Sequence, residues 1–165
     1  MKKLILGGIL GTSLAWGINI SFIDAQKAFD SHPDTKGAKE ALQKEIEKGN
    51  LEIKIKQNEI LALQEELKKP LAEEAKRRKE ATIQAKYEEL QAYQQEAAEG
   101  LAKKRKELED SINAKIRAII SEIAKERKIN LVLDKDSVIY GEDSLDITSE
   151  VIKRIAEKKT EEKDK

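Results

Sequence analysis

The chain has 165 residues, 39% of them charged and only 4% aromatic, with 32 basic and 32 acidic side chains in balance. That leaves little material for a large core, and the even balance argues against a dedicated nucleic-acid binder. With no cysteine, neither a disulfide nor a thiolate metal site can form, and the single histidine, His32, cannot build a histidine metal cluster.

Lys2 and Lys3 precede an apolar run from Leu4 to Leu14. Small residues at Ser13 and Ala15, or Ala15 and Gly17, then supply a cleavage site, so residues 1–17 read as a cleaved export signal. The run is short for a membrane span, and without a cysteine near the site a lipoprotein anchor is excluded; an uncleaved anchor is the alternative. Loss of Lys2 and Lys3 leaves a slightly acidic mature chain.

Residues 18–35 are expected to begin a small body. Ile18, Ile20 and Phe22 alternate with polar residues, as in a half-buried strand. A helical turn around Gln26 to Phe29 follows, and Ser31-His32-Pro33-Asp34 breaks it, which places His32 in a solvated loop.

From Lys36 to Lys128 the sequence reads as two long helices broken once, at Lys68-Lys69-Pro70. In the first, Leu42, Ile46, Gly49, Ile53, Lys56, Ile60, Leu63 and Leu67 are spaced 4, 3, 4, 3, 4, 3, 4, the seam of a coiled coil. The second carries Ile83, Tyr87, Leu90, Ala97, Leu101 and Leu108 among Glu, Lys, Gln and Ala, all strong helix formers. Pro70 fits the first turn of the second helix. A connection this short makes the helices antiparallel neighbours, so residues 36–107 form a hairpin arm with its tip near 68–71.

Leu108, Ile112, Ile116, Ile119, Ile120 and Ile123 form a stripe wider than a coiled-coil seam, so this end of the long helix enters the body, residues 108–158. Two strands are expected next, over Asn130–Asp134 and Ser137–Gly141, joined by a Lys135-Asp136 turn. A last helix follows with Thr148 as N-cap, and residues 159–165 read as a charged, disordered tail. The fold class is therefore mainly α with a small β body and a long projecting hairpin. So small a body is marginal alone, which points to self-association through Ile18, Ile20, Phe22, Ile116, Ile119, Ile123, Leu131, Leu133, Val138 and Tyr140.

No residue set suggests an enzyme, a metal or a cofactor: paired carboxylates such as Glu65-Glu66 and Glu88-Glu89 lie on solvated helix faces with no apolar pocket to shift their titration. Lys68, Lys69, Lys76, Arg77, Arg78 and Lys79 gather at the tip and could touch anionic lipid, lipopolysaccharide or an acidic surface, although Glu65, Glu66, Glu73, Glu74 and Glu80 nearly offset them. Gly49 and Gly100, each costing about 1 kcal/mol relative to Ala in a helix, read equally as hinges of the arm or as tolerated defects.

The segment Ile23-Asp24-Ala25-Gln26-Lys27-Ala28-Phe29 resembles the V-D-x-Q-x-x-F motif of the Skp/OmpH family of periplasmic chaperones. Asn130 to Lys135, Val138-Ile139-Tyr140, and Leu145-Asp146-Ile147-Thr148 with Val151 resemble that family's C-terminal pattern. The resemblance implies a periplasmic homotrimer, joined through its bodies, whose arms enclose unfolded outer-membrane β-barrel proteins without ATP. Client contacts are then expected on the arms and tip: Leu63, Leu67, Lys68, Lys69, Leu71, Lys76, Arg77, Arg78, Lys79, Ile83 and Tyr87. A structural coiled-coil spacer or tether of the envelope is the competing reading. The near-neutral charge departs from the strongly basic best-known member of the family, so no lipopolysaccharide site carries over.

Overall fold

A computed structural model describes residues 17–163, with side chains through Thr160. The expected export signal lies outside the described residues apart from Gly17. The order is β1 (Ile20–Ile23), α1 (Ala25–Ser31), α2 (Pro33–Leu67), α3 (Glu73–Arg127), β2 (Leu131–Asp134) and α4 (Thr148–Lys163).

Helices α2 and α3 form the expected antiparallel hairpin. The 35 residues of α2 span roughly 50 Å at 1.5 Å per residue. The break is sharper than the sequence suggests: α3 begins at Glu73, so Pro70 lies in the connection and not in its first turn. Ala72 caps α3 in an extended conformation, and Glu73 and Glu74 meet the positive end of its dipole.

The body buries Ile23, Ala28, Ile112, Ile116, Ile119, Ile123, Ile147, Val151 and Ile155 in one cluster. The wide isoleucine stripe of α3 thus meets β1, α1 and α4, as its width requires. Lys128 ends α3 in the left-handed region (φ 56°), and the Asn19 side-chain amide donates to its carbonyl at 3.1 Å.

Two expectations about the body fail. β2 does not form a hairpin with the next segment; it pairs in parallel with β1, with Ile20 opposite Leu131 and Phe22 opposite Leu133. Ser137–Gly141 is not a strand: a 3-10 turn occupies Lys135–Ser137, started by the Asp134 carboxylate, which accepts from the Asp136 N–H at 3.2 Å. The chain then folds over Phe22. The Lys135 ammonium stands 5.9 Å from the Phe22 ring centre, and Gly141 lies so close that a Cβ there would be 2.6 Å from the ring.

The caps also differ. His32 is buried, 7% exposed, instead of solvated. Its Nδ1 accepts from the Asp34 N–H at 3.2 Å, so it is the N-cap of α2 with Pro33 at the first helical position. Thr148 is the first residue of α4, not its cap: the Asp146 carboxylate accepts the Thr148 N–H at 2.8 Å. α4 continues to Lys163, through most of the expected disordered tail. Glu126 holds it to α3 by bonds of 3.0 and 2.9 Å from the Arg154 guanidinium.

Candidate client-binding arms and assembly surface

The arm's seam is built from buried and half-buried positions of both helices. On α2 these include Leu42, Gly49, Ile53, Lys56, Ile60, Leu63 and Leu67, the heptad row read from the sequence without Ile46, which is exposed. On α3 the row is Lys79, Ile83, Lys86, Leu90, Tyr93, Ala97, Leu101, Lys104 and Leu108. Near the tip Ile60, Ile83 and Leu90 form a closed cluster with Ile53, Leu63 and Leu67. Leu63, Leu67 and Ile83, expected to meet a client, therefore pack the arm itself. Tyr87 lies off the seam, 44% exposed, with its hydroxyl accepting from Gln64 at 3.0 Å.

Lysines in this seam are anchored across it. Lys86 reaches Glu59 at 3.1 Å, Lys104 reaches Glu45 at 2.8 Å, and Lys56 and Lys79 pair with Glu89 and Glu66. Hydrogen bonds from Lys56 to Glu89, from Lys79 to Glu66 and from Lys104 to Glu45 hold these carboxyls below the usual range. Such pairs fix the register of the hairpin, as charges flanking a coiled-coil seam do.

At the tip the expected basic residues divide. Lys68 pairs with Glu65, Arg78 with Glu74 and Lys79 with Glu66. Lys69, Lys76 and Arg77 make no ion pair among the described residues, and Leu71 beside them is exposed.

Three exposed apolar side chains on α2 were not anticipated. Leu51, Ile55 and Leu61 lie off the heptad row, and Leu51 and Leu61 are 59% and 56% exposed. Their spacing could have shown it, since none falls on an a or d position.

The residues proposed for self-association also divide. Ile116, Ile119 and Ile123 are buried inside the protomer, as is Phe22, while Leu133 and Val138 are half-buried. Ile18, Ile20, Leu131 and Tyr140 are exposed, and Ile139, outside that set, is fully so. They surround a two-stranded sheet in which no described strand covers the outer edge of β2. A pair of four-residue strands with an open edge is marginal alone and suited to pairing with another copy. Among the described residues no helix is long and apolar enough to cross a membrane.

This arrangement has known counterparts. The chain is 33% identical over 156 residues to an uncharacterized protein of Aquifex aeolicus (strain VF5), covering 94% of this chain and 96% of that one. Its fold is similar to the crystal structure of an OmpH-like protein of Caulobacter crescentus CB15, assigned as a candidate outer membrane chaperone, with a TM-score of 0.75. That similarity covers 92% of this chain and 90% of the other at 20% identity. The family model described as outer membrane protein (OmpH-like) matches residues 19–155, all of the described body and arm up to the end of α4's buried face. The chain belongs to the OmpH-like outer membrane protein family.

Proposed function

We propose that the protein is an ATP-independent holdase chaperone of the periplasm. As a homotrimer it encloses unfolded outer-membrane β-barrel proteins between its arms and keeps them soluble until they reach the membrane. The observation that carries this reading is the exposed aliphatic set Leu51, Ile55 and Leu61 on an otherwise charged arm of roughly 50 Å. Family membership and the fold support the chaperone role; Lys2, Lys3 and the apolar run after them support export.

The physics suits a holdase. Unfolded membrane strands expose alternating apolar side chains and unpaired backbone edges, and aggregate through both. Arms with scattered apolar side chains in a polar field bind such a chain by many weak contacts, each short-lived and together strong. No single contact is tight, so folding of the client into the membrane removes the bound form and drives release without nucleotide.

Trimerisation through the body brings the three arms to one side. The exposed ring of Ile18, Ile20, Leu131, Ile139 and Tyr140 supplies the apolar surface for that contact. Lys69, Lys76, Arg77 and Leu71 at the tip suit a weak contact with an anionic membrane surface or lipopolysaccharide, worth about 1 kcal/mol per basic residue near such a surface. The proposal is tested by diluting a denatured β-barrel membrane protein into buffer with and without the mature chain and following turbidity. Suppression at about one assembly per client is expected; unchanged aggregation favours the envelope spacer.

A further inference from the structure

The ion pairs across the hairpin report its register, and the register changes once. Near the body, Asp34 pairs with Lys115 and Glu45 with Lys104, so both helices advance 11 positions between these pairs (34 to 45, 104 to 115). Near the tip, Lys56 pairs with Glu89 and Glu66 with Lys79, and both helices advance 10 (56 to 66, 79 to 89). Between the two blocks α2 advances 11 positions, 45 to 56, while α3 advances 15, 89 to 104. The comparison is like for like, since Lys79, Lys86 and Lys104 all reach from α3 to an acid of α2.

The seam shows the same four extra residues. The α2 row alternates 4 and 3 from Gly49 to Leu67, with Leu42 one heptad before Gly49 and Ile46 between them exposed, whereas the α3 row takes two steps of 4 in succession, Tyr93 to Ala97 to Leu101. An insertion of four residues in a heptad pattern is a stutter, and it unwinds a coiled coil locally. Here only one of the two helices carries it. About 6 Å of extra helix must be accommodated on α3 with no counterpart on α2.

The seam is left unfilled at that place. A groove of about 480 Å³ lies between Glu45, Gly49, Ile53, Tyr93, Ala97 and Gly100, and a Cβ at Gly49 or Gly100 would have no atom within 4 Å. Below it stands the Glu45–Lys104 pair; above it the Lys56 ammonium lies 5.5 Å from the Tyr93 ring centre. Each block is thus fixed in its own register, and the seam between them is unfilled.

We propose that the arm is two rigid register blocks joined at a one-turn mismatch, and that it pivots there. The tip block, from Lys56 outward, swings on the residues 45–56 and 89–104 while the ion pairs and clusters on either side stay intact. Gly49 and Gly100 lie at the pivot because small residues let the two backbones approach and part. The swing needs no unfolding of the tip or the body. The proposal does not rest on the chaperone reading.

Deleting residues 97–100 tests it, because the α3 row then alternates 4 and 3 without interruption from Lys79 to Leu108. The cysteine-free chain accepts spin labels at Lys27→Cys and Ala75→Cys, placed in the body and the tip block, with labelled chains diluted into unlabelled ones. In the parent chain the label distances are expected to be broad, and amides of 93–101 to exchange at least about tenfold faster than those of 80–90. The deletion is expected to halve the distance spread or better and to bring the two exchange rates within about threefold. Equal protection in the parent, or a deletion that changes neither readout, overturns the proposal. If the deletion does not fold, Gly49→Ala with Gly100→Ala decides: the mismatch remains, so fast exchange at 93–101 should persist. Its disappearance in that variant overturns the mismatch as the cause.

Discussion

The backbone N–H of Asp24 donates to the Thr148 hydroxyl at 2.9 Å, across 124 positions of sequence. The same Asp24 side chain accepts the Lys27 N–H at 2.7 Å and starts α1, while the Ile147 N–H donates to the Phe22 carbonyl at 3.0 Å. The two end motifs that carried the family resemblance are therefore one structure: each closes the other's open backbone groups.

Thr148→Val keeps the shape of this buried side chain but leaves the Asp24 N–H without its acceptor. An unsatisfied donor of this kind costs about 1–3 kcal/mol, so the variant is expected to unfold at lower denaturant than the parent with an unchanged denaturant slope. Asp24→Ala removes the cap of α1 and is expected to cost about 1 kcal/mol. Chemical denaturation followed by circular dichroism reads both.

Three glycines should respond in opposite directions. Gly141→Ala would place a Cβ 2.6 Å from the buried Phe22 ring, and overpacking of this kind costs about 1–3 kcal/mol. Gly49→Ala and Gly100→Ala meet nothing within 4 Å and should each raise helix stability by up to about 1 kcal/mol. Thermal melts of the three variants separate the cases.

Acid should loosen the arm. Glu45, Glu66 and Glu89 are held below their ordinary pKa by hydrogen bonds from Lys104, Lys79 and Lys56. A carboxyl lowered in the folded state stabilises it above the unfolded value, and the contribution is lost as pH falls through the folded value. Arm stability is therefore expected to be level above about pH 5 and to fall below about pH 4. Because these groups are exposed, salt should reduce the effect. Hydrogen exchange of α2 and α3 amides at pH 3 against pH 6, corrected for intrinsic rates, measures it.

Assembly and protomer folding should separate by residue. Ile139→Asp with Tyr140→Asp changes two side chains that lie in water, so the protomer should keep its helix content while the oligomer dissociates. Ile123→Ala, at a site with no exposed surface, should cost about 2–5 kcal/mol of protomer stability. Sedimentation alongside circular dichroism distinguishes the two; an unchanged mass for the double variant would place the assembly surface elsewhere.

Much of the architecture was legible because it depends on local periodicity. The heptad row from Leu42 to Leu67 dictates a hairpin helix, and the wider stripe from Leu108 to Ile123 dictates entry into a core. What failed depends on distant partners. Val138–Tyr140 has the alternation of a strand, but Phe22 from the other end of the chain and the Asp134 cap turn it aside. His32 looked like a loop residue because a Pro-containing break gives no local sign of burial, yet it is buried and caps α2. On the arm, the apolar row identified the seam and so named Ile83, which is buried in it, and Leu63 and Leu67, which are half-buried against it; Leu51, Ile55 and Leu61 break the pattern and are exposed.

The most direct test of the holdase reading is native mass spectrometry of Ile18–Lys165, alone and after mixing with a denaturant-diluted β-barrel membrane protein. A trimer that takes up one client chain is expected, as is a trimer of Leu51→Ser, Ile55→Ser, Leu61→Ser that takes up less. A monomer or dimer, or a trimer that leaves the client to aggregate, would contradict that reading.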